Sequence, residues 1–157
     1  MMYLLDVNVL LAVGYRMHEL HPRAIAWLTS LEEADHSIHL ATCSITELGF
    51  VRVASGAAGL ARNVGAALSD LGRLKNQRPM IFLNDGVPGD QLPEWVAKPK
   101  QVTDGHLVQL PTVHGGALAT LDAGIPGSLL IPPIAAAPLF VREPTHRYGG
   151  PLELRAG

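Results

Sequence analysis

A single cysteine, Cys43, stands in the 157-residue chain. That excludes an internal disulfide and any cysteine-based zinc site. Cys43 lies in the apolar segment Ile38 to Cys43 and reads as a small buried hydrophobe. Aromatic residues supply only 5% of the chain, so the core must be aliphatic. No uncharged run reaches the ~20 residues that span a bilayer. No basic segment precedes a long apolar run at the N-terminus, so no secretory signal is read and a reducing, cytoplasmic location is expected. Basic residues are not in excess either. The formal net charge is −2, which offers no general attraction for nucleic acid, although the count includes acids that a bound cation would neutralise. Arg62, Arg73, Lys75, Arg78, Lys98 and Lys100 are candidates for a local basic rim.

What the chain does have is an apolar fraction of 48% and a mean hydropathy of +0.21. A single domain of this size can bury roughly 70% of its unfolded surface. Met2 to Leu5 reads as a short buried strand running into a helix near Asp6. Pro22 suits the first turn of a helix carrying Ile25, Trp27 and Leu28. Ile38 to Ala41 reads as a strand ended by Thr42 and Ser44, and a helix follows from Ile45 to Ala54. Another helix is expected from Leu60 to Leu74, with Val64, Leu68 and Leu71 as its apolar stripe. Met80 to Leu83 is a third strand, and residues 84–101 are loop punctuated by Gly and Pro. Thr103 caps a helix reaching toward His114, shortened or kinked by Pro111. Ala117 to Leu121 is a fourth strand, and Leu139 to Val141 a late one. The domain is expected to occupy residues 1–143, with 144–157 a loose tail. Strands alternating with helices predict an α/β fold with a mostly parallel sheet flanked by helices.

Four acids then draw attention. Asp6 is followed at i+3 and i+4 by Val9 and Leu10, Glu47 by Phe50 and Val51, and Asp104 by Leu107 and Val108. On a helix these offsets share one face, so each carboxylate points along a core stripe, where an unpaired charge is costly unless paired or metal-bound. Asp122 closes the apolar run from Ala117. All four fall at the carboxyl ends of the expected strands, where ligands collect in such folds. Each acid also has a plain reading. Ser44-x-x-Glu47 fits a capping box, Asp104 fits an ordinary first-turn acid, and Asp122-Ala123-Gly124 fits a turn. Asp6 interrupts an otherwise apolar run in which only Asn8 is also polar. Carboxylates crowded together repel and take up protons unless a cation lies between them. Magnesium or manganese would satisfy them and suits phosphodiester hydrolysis by water.

These segments resemble a known family. Leu4-Leu5-Asp6-Val7-Asn8-Val9-Leu10 is similar to the opening signature of PIN-domain ribonucleases. Thr46-Glu47-Leu48-Gly49-Phe50-Val51-Arg52 resembles the second-acid segment of their VapC toxin branch. Val102-Thr103-Asp104-Gly105-His106-Leu107 and Gly115-Gly116-Ala117-Leu118-Ala119-Thr120-Leu121-Asp122 resemble the remaining pair. The likeness spans residues 2–124 and implies a PIN-like three-layer fold, a Mg2+ or Mn2+ site and cleavage of single-stranded RNA. It implies a cognate VapB-type antitoxin, with a homodimer as the expected assembly. By this likeness Asp6, Glu47, Asp104 and Asp122 are the catalytic, metal-binding acids. Asn8 and Thr120 match positions that orient ligands or substrate, and each equally fits a structural role. Ala123 departs from relatives that place a basic residue after the last acid, which puts a phosphate contact there in doubt. The Pro-rich end is longer than the simplest members require.

Other chemistries fare less well. The seven histidines show no convincing ligand spacing; His18 and His21 flank a turn, and His36 and His39 a strand start. Ser44 lacks a nucleophile-elbow setting, and no glycine-rich phosphate loop is present. Asp6-x-Asn8 resembles the Asp-x-Asp opening of haloacid-dehalogenase-like phosphatases without its second carboxylate. A non-catalytic PIN-like module that binds RNA or protein is the alternative of a different class.

Overall fold

The computed structural model describes residues 1–34 and 37–134. The four apolar runs form strands β1 (Met2–Leu5), β2 (His39–Cys43), β3 (Met80–Leu83) and β4 (Ala117–Thr120). A fifth, β5 (Leu129–Leu130), pairs parallel with β4. It was not expected, because two residues are too few to show an alternating pattern. The strand expected at Leu139 to Val141, the boundary at residue 143 and the tail beyond it lie outside the described residues.

Every neighbouring pair in the sheet is parallel, in the order β3-β2-β1-β4-β5. Among the described residues five α-helices connect them: α1 (Val7–Gly14), α2 (His21–Ala34), α3 (Ser44–Ala54), α4 (Val64–Gln77) and α5 (Val102–Val113). Successive strand residues face opposite sides of a sheet, and Leu4 and Leu5, both fully buried, show it. Leu5 joins Val9, Leu10, Trp27, Phe50, Leu71 and Leu74 from α1 to α4, whereas Leu4 joins Leu107, Leu110 and Leu118 on the side of α5. The result is three layers with two aliphatic cores, an α/β architecture of the PIN type.

Two helix assignments shift. The fourth helix begins at Val64 rather than Leu60, because Asn63 caps it by accepting the Ala66 N–H at 2.8 Å. Its buried stripe is Ala67, Leu71 and Leu74, and Val64 and Leu68 are exposed. The small Ala67 faces the core in place of the larger Leu68. The fifth helix starts at Val102, not under a Thr103 cap, because a 3-10 turn over Pro99–Gln101 leads straight into it. Pro111 lies inside α5, which ends two residues later at Val113. The chain then turns through Gly115, whose φ of +72° suits glycine.

The chain reverses its direction of travel across the sheet between β1 and β4, which lie side by side. Loops leaving a parallel sheet at such a point diverge and leave a crevice at the carboxyl ends of the strands. Close packing sets the helices around it. A Cβ on Gly49 of α3 would lie 2.4 Å from Val7 Cγ2 on α1, and a valine in a helix has little rotamer freedom to yield. Gly49→Ala is therefore expected to lower stability by about 1–3 kcal/mol. The same exchange in a free helix would raise it by up to about 1 kcal/mol. Urea denaturation checks this, and a variant as stable as the parent would contradict the close approach.

Candidate active site

Asp6 follows β1 and caps α1 with an extended backbone, its Oδ1 accepting the Val7 N–H at 2.6 Å. Its own N–H donates to the Ala119 carbonyl at 3.0 Å, so the β1–β4 ladder extends up to the acid itself. The second carboxylate oxygen accepts the Thr120 hydroxyl at 2.8 Å. Thr120 is fully buried, and its Oγ1 also accepts the Asp122 N–H at 3.1 Å. One hydroxyl at the end of β4 thus fixes both the Asp6 carboxylate and the chain entering Asp122. Asp122 is exposed, and its Oδ1 accepts the Gly124 N–H at 2.7 Å. The plain turn anticipated for Asp122 is therefore present alongside any other role. Asp104 occupies the third position of α5 and is partly buried.

The charges of these three acids act on one another. Burial is the largest cause holding the Asp6 carboxyl above the usual carboxylate range; the Thr120 and Val7 hydrogen bonds oppose it, and the Asp122 charge adds to it. Asp104 is raised first by burial and then by the charges of Asp6 and Asp122. Residues far apart in the chain thus feel one another's charge. Carboxylate oxygens are the donor type that magnesium and manganese prefer.

Glu47 has a different setting. Its Oε1 accepts the Thr42 hydroxyl at 2.6 Å and the Lys75 ammonium at 2.5 Å. The capping role foreseen for it belongs to Thr46, whose Oγ1 accepts the Cys43 N–H at 3.1 Å. The helix begins one residue earlier than the motif Ser44-x-x-Glu47 requires, and that frees the Glu47 side chain. Among the described residues, no three His, Cys, Asp or Glu side chains form a ready-made set of metal ligands. The charges of Asp6, Asp104 and Asp122 act on one another without forming such a set, and Glu47 is paired with Lys75. Asn8 is exposed at the second position of α1, and Ala123 is exposed beside Asp122.

Thr42 and Lys75 were not among the residues expected at the site. Thr42 is fully buried where a strand end was predicted. Lys75 was grouped with the basic rim, although its place one turn beyond the buried Leu71 puts it on the packed side of α4. Of that rim, Arg73 pairs with Asp70 and Arg78 with Glu32. A groove of about 430 Å³ lined by Ile45, Asp85, Val87, Leu92, Thr103 and His106 adjoins the Asp104 end of α5. A cavity of about 480 Å³ lies instead at the amino ends of β2 and β3, away from the acids.

A five-stranded parallel sheet between two helical layers, with Asp6 and Asp122 at the ends of its central strands, defines the class as PIN-like. No protein-family model matches the chain. It is, however, 35% identical over 133 residues to Ribonuclease VapC39 of Mycobacterium tuberculosis, covering 80% of this chain and 91% of that protein. It is 38% identical over 128 residues to Ribonuclease VapC38 of the same organism, covering 79% and 87%. To Ribonuclease VapC44, also from M. tuberculosis, it is 38% identical over 129 residues, covering 78% and 87%. The chain belongs to the VapC family of PIN-domain proteins, which displaces the phosphatase reading.

The mutual repulsion has a consequence for stability. Asp6 and Asp104 hold protons more tightly when folded than when unfolded, where a carboxyl titrates near ~4. The folded state therefore binds more protons, and stability falls as pH rises from about 4 through the raised values. Without divalent ions, Asp104→Asn should melt above the parent at pH 7, with the advantage shrinking toward pH 4. Melting curves in EDTA across that range check it. A variant no more stable than the parent at pH 7 would contradict the repulsion.

Proposed function

We propose that this chain is an endoribonuclease, the toxin of a toxin–antitoxin pair, cutting single-stranded RNA with the help of Mg2+ or Mn2+. The observation that carries the reading is the Thr120 hydroxyl joining the Asp6 carboxylate to the chain at Asp122 at the sheet's switch point, in a relative of proteins named as ribonucleases. Asp6, Asp104 and Asp122 would hold the ion. When bound, it supplies positive charge to the scissile phosphate and the leaving oxygen.

The protein's own groups do the positioning. Thr120 locks the Asp6 carboxylate in place, as outer hydrogen-bond partners of metal ligands do. Glu47, held by Thr42 and Lys75, would assist ligation or orient the attacking water. Water rather than the ribose 2′-hydroxyl is the nucleophile, so the products carry a 5′-phosphate and a 3′-hydroxyl. Asn8, exposed at the start of α1, is a candidate substrate contact. The partner would be a VapB-type antitoxin, and the assembly a homodimer. Leu48, Val64 and Leu68, exposed on the outer faces of α3 and α4, offer apolar surface for such contacts. A cytoplasmic setting belongs to the same reading; no helix of the described residues is long and apolar enough to cross a membrane.

Purified protein should cleave single-stranded RNA with magnesium and stop on addition of EDTA. Asp6→Asn should lose most of its cleavage rate while its circular dichroism is unchanged. Cleavage that persists in EDTA would reject the metal-dependent mechanism. An inert parent protein that still binds RNA would favour a non-catalytic module.

A further inference from the structure

The groove of about 430 Å³ at the start of α5 plays no part in the reading above. It opens on the same edge of the sheet as the acids. Ile45 lies just beyond the end of β2 and Asp85 just beyond that of β3, and β2 adjoins β1, which leads into Asp6. Neighbouring strands are about 4.8 Å apart, so Asp6 is one strand away from the Ile45 wall and two from Asp85. Thr103 and His106, which also line the groove, flank Asp104 on α5. Between Asp104 and His106 stands Gly105, where a Cβ would lie 2.4 Å from Val96 Cγ2 and 3.5 Å from Leu92 Cδ2. The Leu92 wall is thus fixed against the helix that carries Asp104. Inside the groove, His106 Nε2 lies 2.7 Å from Asp85 Oδ1, and among the described residues that buried nitrogen has no other polar partner. The His106 side chain is 13% exposed and that of Asp85 35%, so the imidazole is wall and the carboxylate keeps an open side. Among the described residues no lysine or arginine lines the groove, and Ile45, Val87 and Leu92 make it largely apolar.

We infer that this groove takes an RNA base beside the scissile bond, and that Asp85, held by His106, reads the edge of that base and favours guanine. The inference rests on the RNA-cleaving reading above and deepens it. A groove with a carboxylate and no lysine or arginine repels phosphate, so the RNA backbone is not its occupant. A flat, neutral base suits its apolar walls, and unstacked bases of single-stranded RNA are read on their pairing edges. An ionised carboxylate only accepts hydrogen bonds and has room for about four; the contact with His106 leaves the second oxygen of Asp85 free of that partner. Guanine, alone among the common bases, carries two adjacent N–H donors on its pairing edge, N1–H and the 2-amino group. The two oxygens of one carboxylate can accept both together. Asp85 is thus a specificity residue that touches the base and not the reacting atoms, and His106 positions it.

NMR titration of the parent protein with nucleoside 5′-monophosphates tests this without metal or activity. GMP should shift the Asp85 and His106 signals. It should bind about fivefold or more tightly than AMP, CMP, UMP or inosine 5′-monophosphate, which lacks the 2-amino group; a bidentate base contact discriminates by at least that much. With magnesium, sequencing of the ends cut from a random RNA pool should show guanine enriched at one fixed position beside the cut. Asp85→Asn, which puts an amide donor in place of an acceptor oxygen, should lose both preferences, whereas a merely weakened fold would lower cutting at all sequences alike. Equal binding of GMP and inosine 5′-monophosphate, or no shift at Asp85 and His106, would overturn the inference, a result readable even if Asp85→Asn fails to fold. Unchanged cut sites in a folded Asp85→Asn would overturn it as well, while leaving RNA cleavage intact. A parent that binds GMP in the groove but cuts no RNA would support the base pocket and remove the ribonuclease reading.

Discussion

The parallel pairing of β1 with β4 is the constraint on which the site depends. Leu4 and Leu5 lie in register with Leu118 and Ala119, and the Asp6 N–H continues the ladder to Ala119. That register brings the Thr120 hydroxyl onto a carboxylate 114 positions away. A slip of one residue would turn Thr120 to the other face of the sheet and break its link to Asp6 and Asp122. Leu4 on one side and Leu5 on the other, both fully buried, make such a slip costly. The same side chains that build the cores therefore aim the acids.

The fold accepts a local cost for this arrangement. Burial and neighbouring negative charge both oppose ionisation of Asp6 and Asp104, and the aliphatic cores must offset that. Functional sites are commonly less stable than their surroundings could make them. Glu47 is set differently. It has a lysine, a buried threonine and a neighbouring aromatic ring, so its charge is balanced inside the protein.

Much of this was legible in the residues. Four of the five strands in the described residues coincide with short apolar runs, and the acids that end or follow them could be placed on one edge before any coordinates. The failures have physical causes. The strand β5 is two residues long and leaves no periodic trace. The face of α4 was misjudged because size competed with hydropathy: Ala67 packs inward and Leu68 outward. The plain capping-box reading of Ser44-x-x-Glu47 gives way to Thr46, because spacing fixes offsets but not the starting residue. The Lys75 contact depends on how α3 packs on α4, which no local pattern encodes. Gly49 and Gly105, which look like weak points in helices, are close approaches; a Cβ on Gly105 would meet Val96 Cγ2 at 2.4 Å.

The central claim is that Asp6, Asp104 and Asp122 converge on one cation. A crystal structure of the protein with Mn2+, read by anomalous scattering, tests it most directly. The account predicts an anomalous peak coordinated by oxygens from those three side chains. A peak elsewhere, or three carboxylates turned away from one another at saturating Mn2+, would contradict it.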